Sequence, residues 1–222
     1  MSAFAAGLRI ALKEASIKVQ MKHIITVQHT QSVHHINGMV GSWTDWDLTD
    51  LGKMQADNIG RKLKAELVGE KVILISSDLK RSKQTAEAIA KQLGTEPVYR
   101  QELRERNLGR CCGKTVQWLR ENLECPERTV DDKLFSDGES RRDAWNRLLP
   151  LYDEIMASDA KTVIIVSHGD LLSIWNAMFL GLTVDSCGRA DLHGPSGGVS
   201  HMFVDDDGKH RMSQIGDLSY MS

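Results

Sequence analysis

Two histidines each close an apolar run of the kind that forms a buried strand: Ile24-Ile25-Thr26-Val27-Gln28-His29 and Val163-Ile164-Ile165-Val166-Ser167-His168-Gly169. Between them lies Ser76-Ser77-Asp78-Leu79-Lys80-Arg81-Ser82-Lys83-Gln84-Thr85. An imidazole can attack an electrophile or carry a proton near neutral pH. An arginine presents a planar fork that matches two oxygens of an oxyanion. Delivered together to strand ends, His29, His168 and Arg81 predict one pocket for an anionic group, phosphate being the best fit. Gly169 lets the backbone approach such a group closely, and the helix expected to start there adds amide donors.

The elements that must position these groups alternate. Strands are expected at 24–27, 72–75, 98–100 and 163–166, and two more at 201–204 and 211–215. Thr49 is placed to cap a helix with Ile59, Leu63 and Leu67 on its inner face. Asp78 is the expected cap of the next, which buries Ala86, Ile89, Ala90 and Leu93 and stops at Gly94. A short helix is expected at 116–122. A longer one carries Trp145, Leu148, Leu149, Tyr152 and Ile155 on one face, with Pro150 kinking or breaking it. The last helix runs through Leu172, Trp175, Met178 and Phe179. This order predicts a layered α/β/α domain with a mostly parallel central sheet, whose functional residues gather at the carboxyl ends of the strands. Residues 21–222 read as that domain, and residues 1–20 as an N-terminal extension. Residues 105–140, punctuated by Gly109, Gly113, Pro126 and Gly138, read as a substrate-facing insertion.

The net charge of −2, with no Lys/Arg-rich run, argues against a nucleic-acid or anionic-membrane partner held by bulk charge. A small anionic substrate needs only local positive charge and stays open. Cys111, Cys112, Cys125 and Cys187 contain no CxxC pair, which argues against a structural zinc and for a reducing, cytoplasmic compartment. No apolar run approaches the roughly 18 residues of a membrane span.

The ordered segments resemble the histidine phosphatase superfamily, the phosphoglycerate-mutase-like fold family. The pattern from Ser77 to Thr85 matches its arginine signature, and Val166-Ser167-His168-Gly169 its second histidine segment. Leu103-Arg104-Glu105-Arg106-Asn107-Leu108-Gly109, with Gly113, resembles its Glu-x-x-x-Gly-x-x-x-Gly stretch. Trp43-Thr44-Asp45-Trp46-Asp47-Leu48-Thr49 and Gly138-Glu139-Ser140 extend the likeness over roughly residues 22–204. The resemblance implies that His29 is a nucleophile forming a phosphohistidine and that Glu105 is the general acid. His168 would face the phosphoryl group from the far side and Arg81 would hold its oxygens. No cofactor and no metal are implied. Arg106 is carried over as a substrate contact.

The chain departs from the family where its first signature, Arg-His-Gly, reads Gln28-His29-Thr30. Gln28 can donate hydrogen bonds but brings no charge, and charge-assisted bonds are about twice as strong. Thr30 stands for glycine, and His35 for a frequent asparagine; His34 and His35 are either replacement donors or polar loop residues. The expected activity is hydrolysis of a small phosphorylated metabolite. The alternatives are mutase-type phosphotransfer, a weakly catalytic ligand-binding protein on the same fold, and adaptation to a less charged substrate. Leu108 replaces the tyrosine usual in mutases, which favours hydrolysis.

Overall fold

The computed structural model describes residues 21–222; the expected N-terminal extension lies outside the described residues. Six strands, β1 (Lys22–Gln28), β2 (Val72–Ser77), β3 (Pro97–Arg100), β4 (Thr162–Ser167), β5 (Val199–Val204) and β6 (His210–Asp217), form one sheet in the order β3-β2-β4-β1-β5-β6. The first four are mutually parallel, and β5 and β6 add antiparallel at one edge. The layered α/β, mostly parallel architecture expected from the sequence is therefore present.

Each strand residue points to the face opposite its neighbour's. Ile24, Val163 and Ile165 pack under α5 (Arg141–Ala157) and α6 (Gly169–Phe179) with Leu148, Leu151, Leu171 and Trp175. Ile25, Val27, Ile164 and Val166 pack on the other face under α2 (Asp50–Glu66) and α3 (Lys80–Leu93) with Ile59, Leu63, Ala86 and Ile89. Burying one such side chain contributes roughly 1.5–3 kcal/mol, so the apolar runs that end in histidine are also the most firmly held part of the sheet.

The helix starts divide by what caps them. Thr49 accepts from the Gly52 amide, and Ser140 and Asp143 form a reciprocal capping box at α5. Asp78 does not cap α3 as expected: the cap position is Leu79, and both Asp78 oxygens are taken by the Arg104 guanidinium. Pro150 does not end α5, which runs unbroken to Ala157; Leu149 turns outward and Leu151 takes the inner position. Two shorter helices, α1 (His34–Asn37) and α4 (Val116–Asn122), sit in the loops over the carboxyl ends of the strands, where residues 39 and 115 also bridge.

Candidate active site

Strands β1 and β4 are neighbours, in parallel register with Gln28 opposite Ser167, so the residue after each strand faces its counterpart. The rings of His29 and His168 stand 5.1 Å apart between centroids, nearly edge to face. Both are buried. The His29 Nδ1–H donates to the carbonyl of Thr30 at 2.9 Å, and Nε2 accepts from Arg81 Nε at 3.1 Å. That pair of contacts fixes the neutral tautomer with its lone pair on Nε2. Burial, then the Arg81 charge and the neighbouring imidazoles of His35 and His34, holds His29 well below the usual imidazole range.

Arg81 lies inside the protein, delivered by the first turn of α3. Besides His29, it donates from Nη1 to the Thr44 carbonyl at 2.8 Å and from Nη2 to the Ser42 carbonyl at 2.9 Å. Burial lowers it to about 10, which leaves it charged at neutral pH. Its remaining N–H groups are those a phosphoryl oxygen could use. Ser42 was not singled out from sequence. It is the one non-glycine among the described residues with positive φ, at 42°, and this backbone conformation aims its carbonyl at Arg81. Its hydroxyl donates to the Arg106 carbonyl and accepts from the Leu108 amide, tying this loop to the segment that carries Glu105.

Glu105 is half-buried beside the start of α6. Its carboxylate accepts from the amides of Arg106 (2.9 Å) and Leu171 (3.2 Å), with Asp170 N at 3.4 Å. Burial, helped by the Asp170 carboxylate, raises it to about 7. A carboxyl group poised there can give a proton and take one back near neutral pH. His168 places Nε2 at 2.8 Å from the Ser77 hydroxyl, while its Nδ1 is buried with no partner. Burial and Arg81 hold this ring neutral as well.

Gln28, His29, His35, Arg81, Glu105, Arg106 and Gly169 are brought together around one cavity of about 220 Å³, joined by His34, Ser42 and Asp170. Two of these, and Thr30 outside the cavity, contribute differently from what the family pattern implies. The Gln28 Oε1 is buried without a donor, and its amide packs so close to Gly169 that a Cβ there would lie 3.4 Å from Nε2. Arg106 is buried and divided between Asp170 and Glu127, so its charge is already matched. Thr30 points away: its hydroxyl donates to the Gly52 carbonyl and its amide to Thr85 Oγ1, fastening the strand end to α2 and α3.

Ser32 orients the histidine pair, its amide donating to His35 Nδ1 at 3.2 Å and its hydroxyl bonding His34 Nδ1. The His35 ring stacks on His29 with centroids 5.3 Å apart. Ring nitrogens of His29, His34 and His35 come within 4.8 Å of one another, a spacing open to a metal. Because His35 Nδ1 accepts an amide hydrogen, however, its neutral ring keeps the proton on Nε2, which makes it a donor to an anion rather than a metal ligand. The larger cleft of about 1380 Å³ lies at the opposite, amino ends of the strands, beside His23, Glu70 and Phe203, and contains none of these groups.

Residues 24–215 match the sequence model of the histidine phosphatase superfamily (branch 1). The chain belongs to that superfamily. This histidine phosphatase is 30% identical over 183 residues to the glucosyl-3-phosphoglycerate phosphatase of Mycolicibacterium vanbaalenii, covering 76% of this chain and 78% of that one. It is 32% identical over 163 residues to the 2,3-bisphosphoglycerate-dependent phosphoglycerate mutase of Bartonella tribocorum, covering 67% and 77%. Among solved structures, YhfR of Bacillus stearothermophilus superposes with a TM-score of 0.77 at 24% identity, over 90% of this chain and all of that one. At that identity the superposition speaks for the fold alone.

Proposed function

We propose that this histidine phosphatase hydrolyses a small phosphorylated metabolite in two steps through phospho-His29. In the first, the Arg81 Nε–H moves its hydrogen bond from His29 Nε2 to a phosphoryl oxygen, the freed Nε2 lone pair attacks phosphorus, and the P–O bond to the alcohol breaks. The leaving oxygen takes the proton of Glu105. In the second, the Glu105 carboxylate removes a proton from water, the water oxygen attacks phosphorus, and the N–P bond breaks to return His29 and release phosphate. Arg81 stabilises the charge on the equatorial oxygens. His168 stands beside His29 but is wholly buried behind the residues that line the cavity, where its neutral ring backs the nucleophile, and the Nε2–H of His35 supplies a neutral donor in place of the charge that Gln28 lacks.

The observation that carries this reading is the pair of contacts on His29. Thr30 and Arg81 together leave Nε2 unprotonated at the pocket, which is the form a nucleophile needs. Glu105 at about 7 supports the proton-transfer role. Residues 105–140 act as the substrate-facing insertion, since Glu105, Arg106 and Leu108 line the cavity from that side. Mutase chemistry is the weaker reading, because Leu108 lines the cavity where mutases usually have tyrosine, and Arg106, expected as a substrate contact, is held by Glu127 and Asp170. The four cysteines are free, in keeping with a cytoplasmic setting. Among the described residues no helix is long and apolar enough to cross a membrane.

The decisive experiment is a rapid acid-free quench with a radiolabelled phosphoester. The expected result is an acid-labile phosphate on the wild type and none on His29→Ala. Equal labelling of both would overturn the assignment of His29.

A further inference from the structure

A second polar cavity, of about 250 Å³, opens behind the Arg106–Glu127 ion pair. Three arginines line it: Arg141 at the start of α5, Arg128 in the preceding loop, and Arg189 after the 3₁₀ turn Val184–Gly188. Two carboxylates, Glu127 and Asp191, share the lining, and both are already engaged. Glu127 serves Arg106 and, at 3.0 Å, Arg141 Nε; Asp191 accepts from the amide of His193 and lies 3.1 Å from that imidazole. Among the described residues neither Arg128 nor Arg189 has a carboxylate within ion-pair distance. Arg141 Nη1 is buried in the wall with no acceptor at all. Buried donors almost always find a partner in folded proteins, and charged ones most of all.

We propose that this cavity is a second oxyanion site, taking a carboxylate or phosphate group on Arg141, Arg128 and Arg189. Arginine forks suit either anion, and the cavity has room for a small acid group. The site is separate from the phosphoryl pocket yet adjoins it, because one carboxylate, Glu127, bonds both Arg141 on this side and Arg106 on the other. The anion is either a free effector or the distal acid group of the substrate. The binding claim stands on the arginines and does not depend on the assignment of His29.

Calorimetric titration of the full-length protein with malonate tests it. Binding is expected for the wild type and for His29→Ala. It should weaken by about tenfold or more in Arg189→Ala and Arg141→Gln, as loss of a charge-assisted fork predicts, and recover in part in Arg141→Lys. Arg189 is exposed, so its variant separates binding from folding. Equal malonate affinity in wild type and Arg189→Ala, or loss of binding in His29→Ala, would overturn the proposal. Kinetics then separate the two sources. If the anion belongs to the substrate, Arg189→Ala raises KM for a phosphorylated hydroxy acid and leaves it unchanged for the matching uncharged alcohol ester. If it is a free effector, malonate changes turnover of the uncharged ester in the wild type and not in Arg189→Ala.

Discussion

Strand β1 carries a histidine at each end, and the two ends are wired in opposite ways. At the amino end, His23 Nε2 meets His201 Nδ1 at 3.0 Å, His201 Nε2 meets the Tyr220 hydroxyl at 3.0 Å, and that hydroxyl donates to Glu66 at 2.6 Å. Both nitrogens of His201 are satisfied inside the protein. At the carboxyl end, both nitrogens of His29 are bonded as well, to Thr30 and Arg81, but His168 Nδ1 and Gln28 Oε1 are buried without partners. Burial lowers the pKa of all four histidines, so burial does not separate the pairs. Unused hydrogen-bonding capacity does. A closed chain of bonds stabilises the fold, whereas an open one is a place for something else to bind.

The strongest way to break this contrast is to delete a ring from each end. His29→Ala is expected to lower kcat by at least about a thousandfold, as loss of a nucleophile does, with the chain still folded. His201→Ala should keep kcat within about twofold and lose about 1–3 kcal/mol of stability, the cost of stranding buried polar partners. Phosphate release and chemical denaturation on the two proteins read both quantities; similar activity losses would erase the distinction.

Next in size, Glu105→Gln should slow alkyl phosphates by about a hundredfold or more and aryl phosphates much less, since a good leaving group needs little protonation. A uniform loss over a leaving-group series would assign Glu105 to binding instead.

Gln28→Arg probes the open end from the other direction. It replaces an unpartnered carbonyl oxygen with a charged donor, and vanadate inhibition should tighten by about tenfold. Unchanged or weaker inhibition would mean that the site is built around the neutral amide.

The smallest effect is that of pH. Glu105 donates its proton only while protonated, so rates on alkyl phosphates should fall as pH rises through about 7. His29 stays neutral well into the acid range, because its folded pKa lies well below 6.5. The alkaline limb should disappear in Glu105→Gln; its persistence would point to another acid.

Much of this arrangement was legible in the sequence, for a physical reason. A buried parallel strand needs an unbroken apolar run, so the ends of 24–27 and 163–166 announced where His29 and His168 would emerge. Arg81 followed from the helix after the second strand. What escaped was set by contacts between distant segments. Asp78 has the chemistry of a helix cap, and only Arg104, brought in by the fold, diverts it. Arg106 looks like a free cation until Glu127 and Asp170 arrive beside it. Nothing local marks Ser42 for its left-handed backbone, Ser77 as a partner of His168, or the outward turn of Thr30.

The bond from the His29 ring to the Thr30 carbonyl spans a single residue and uses no side chain but the histidine's own. Every amino acid carries that carbonyl, so the protonation pattern of His29 is inherited with the bend of the chain, whatever residue follows. Position 30 is thereby released to serve another purpose, and here its hydroxyl rivets the strand end to the helix beneath. A change that would look disabling in an alignment can leave the reactive nitrogen untouched.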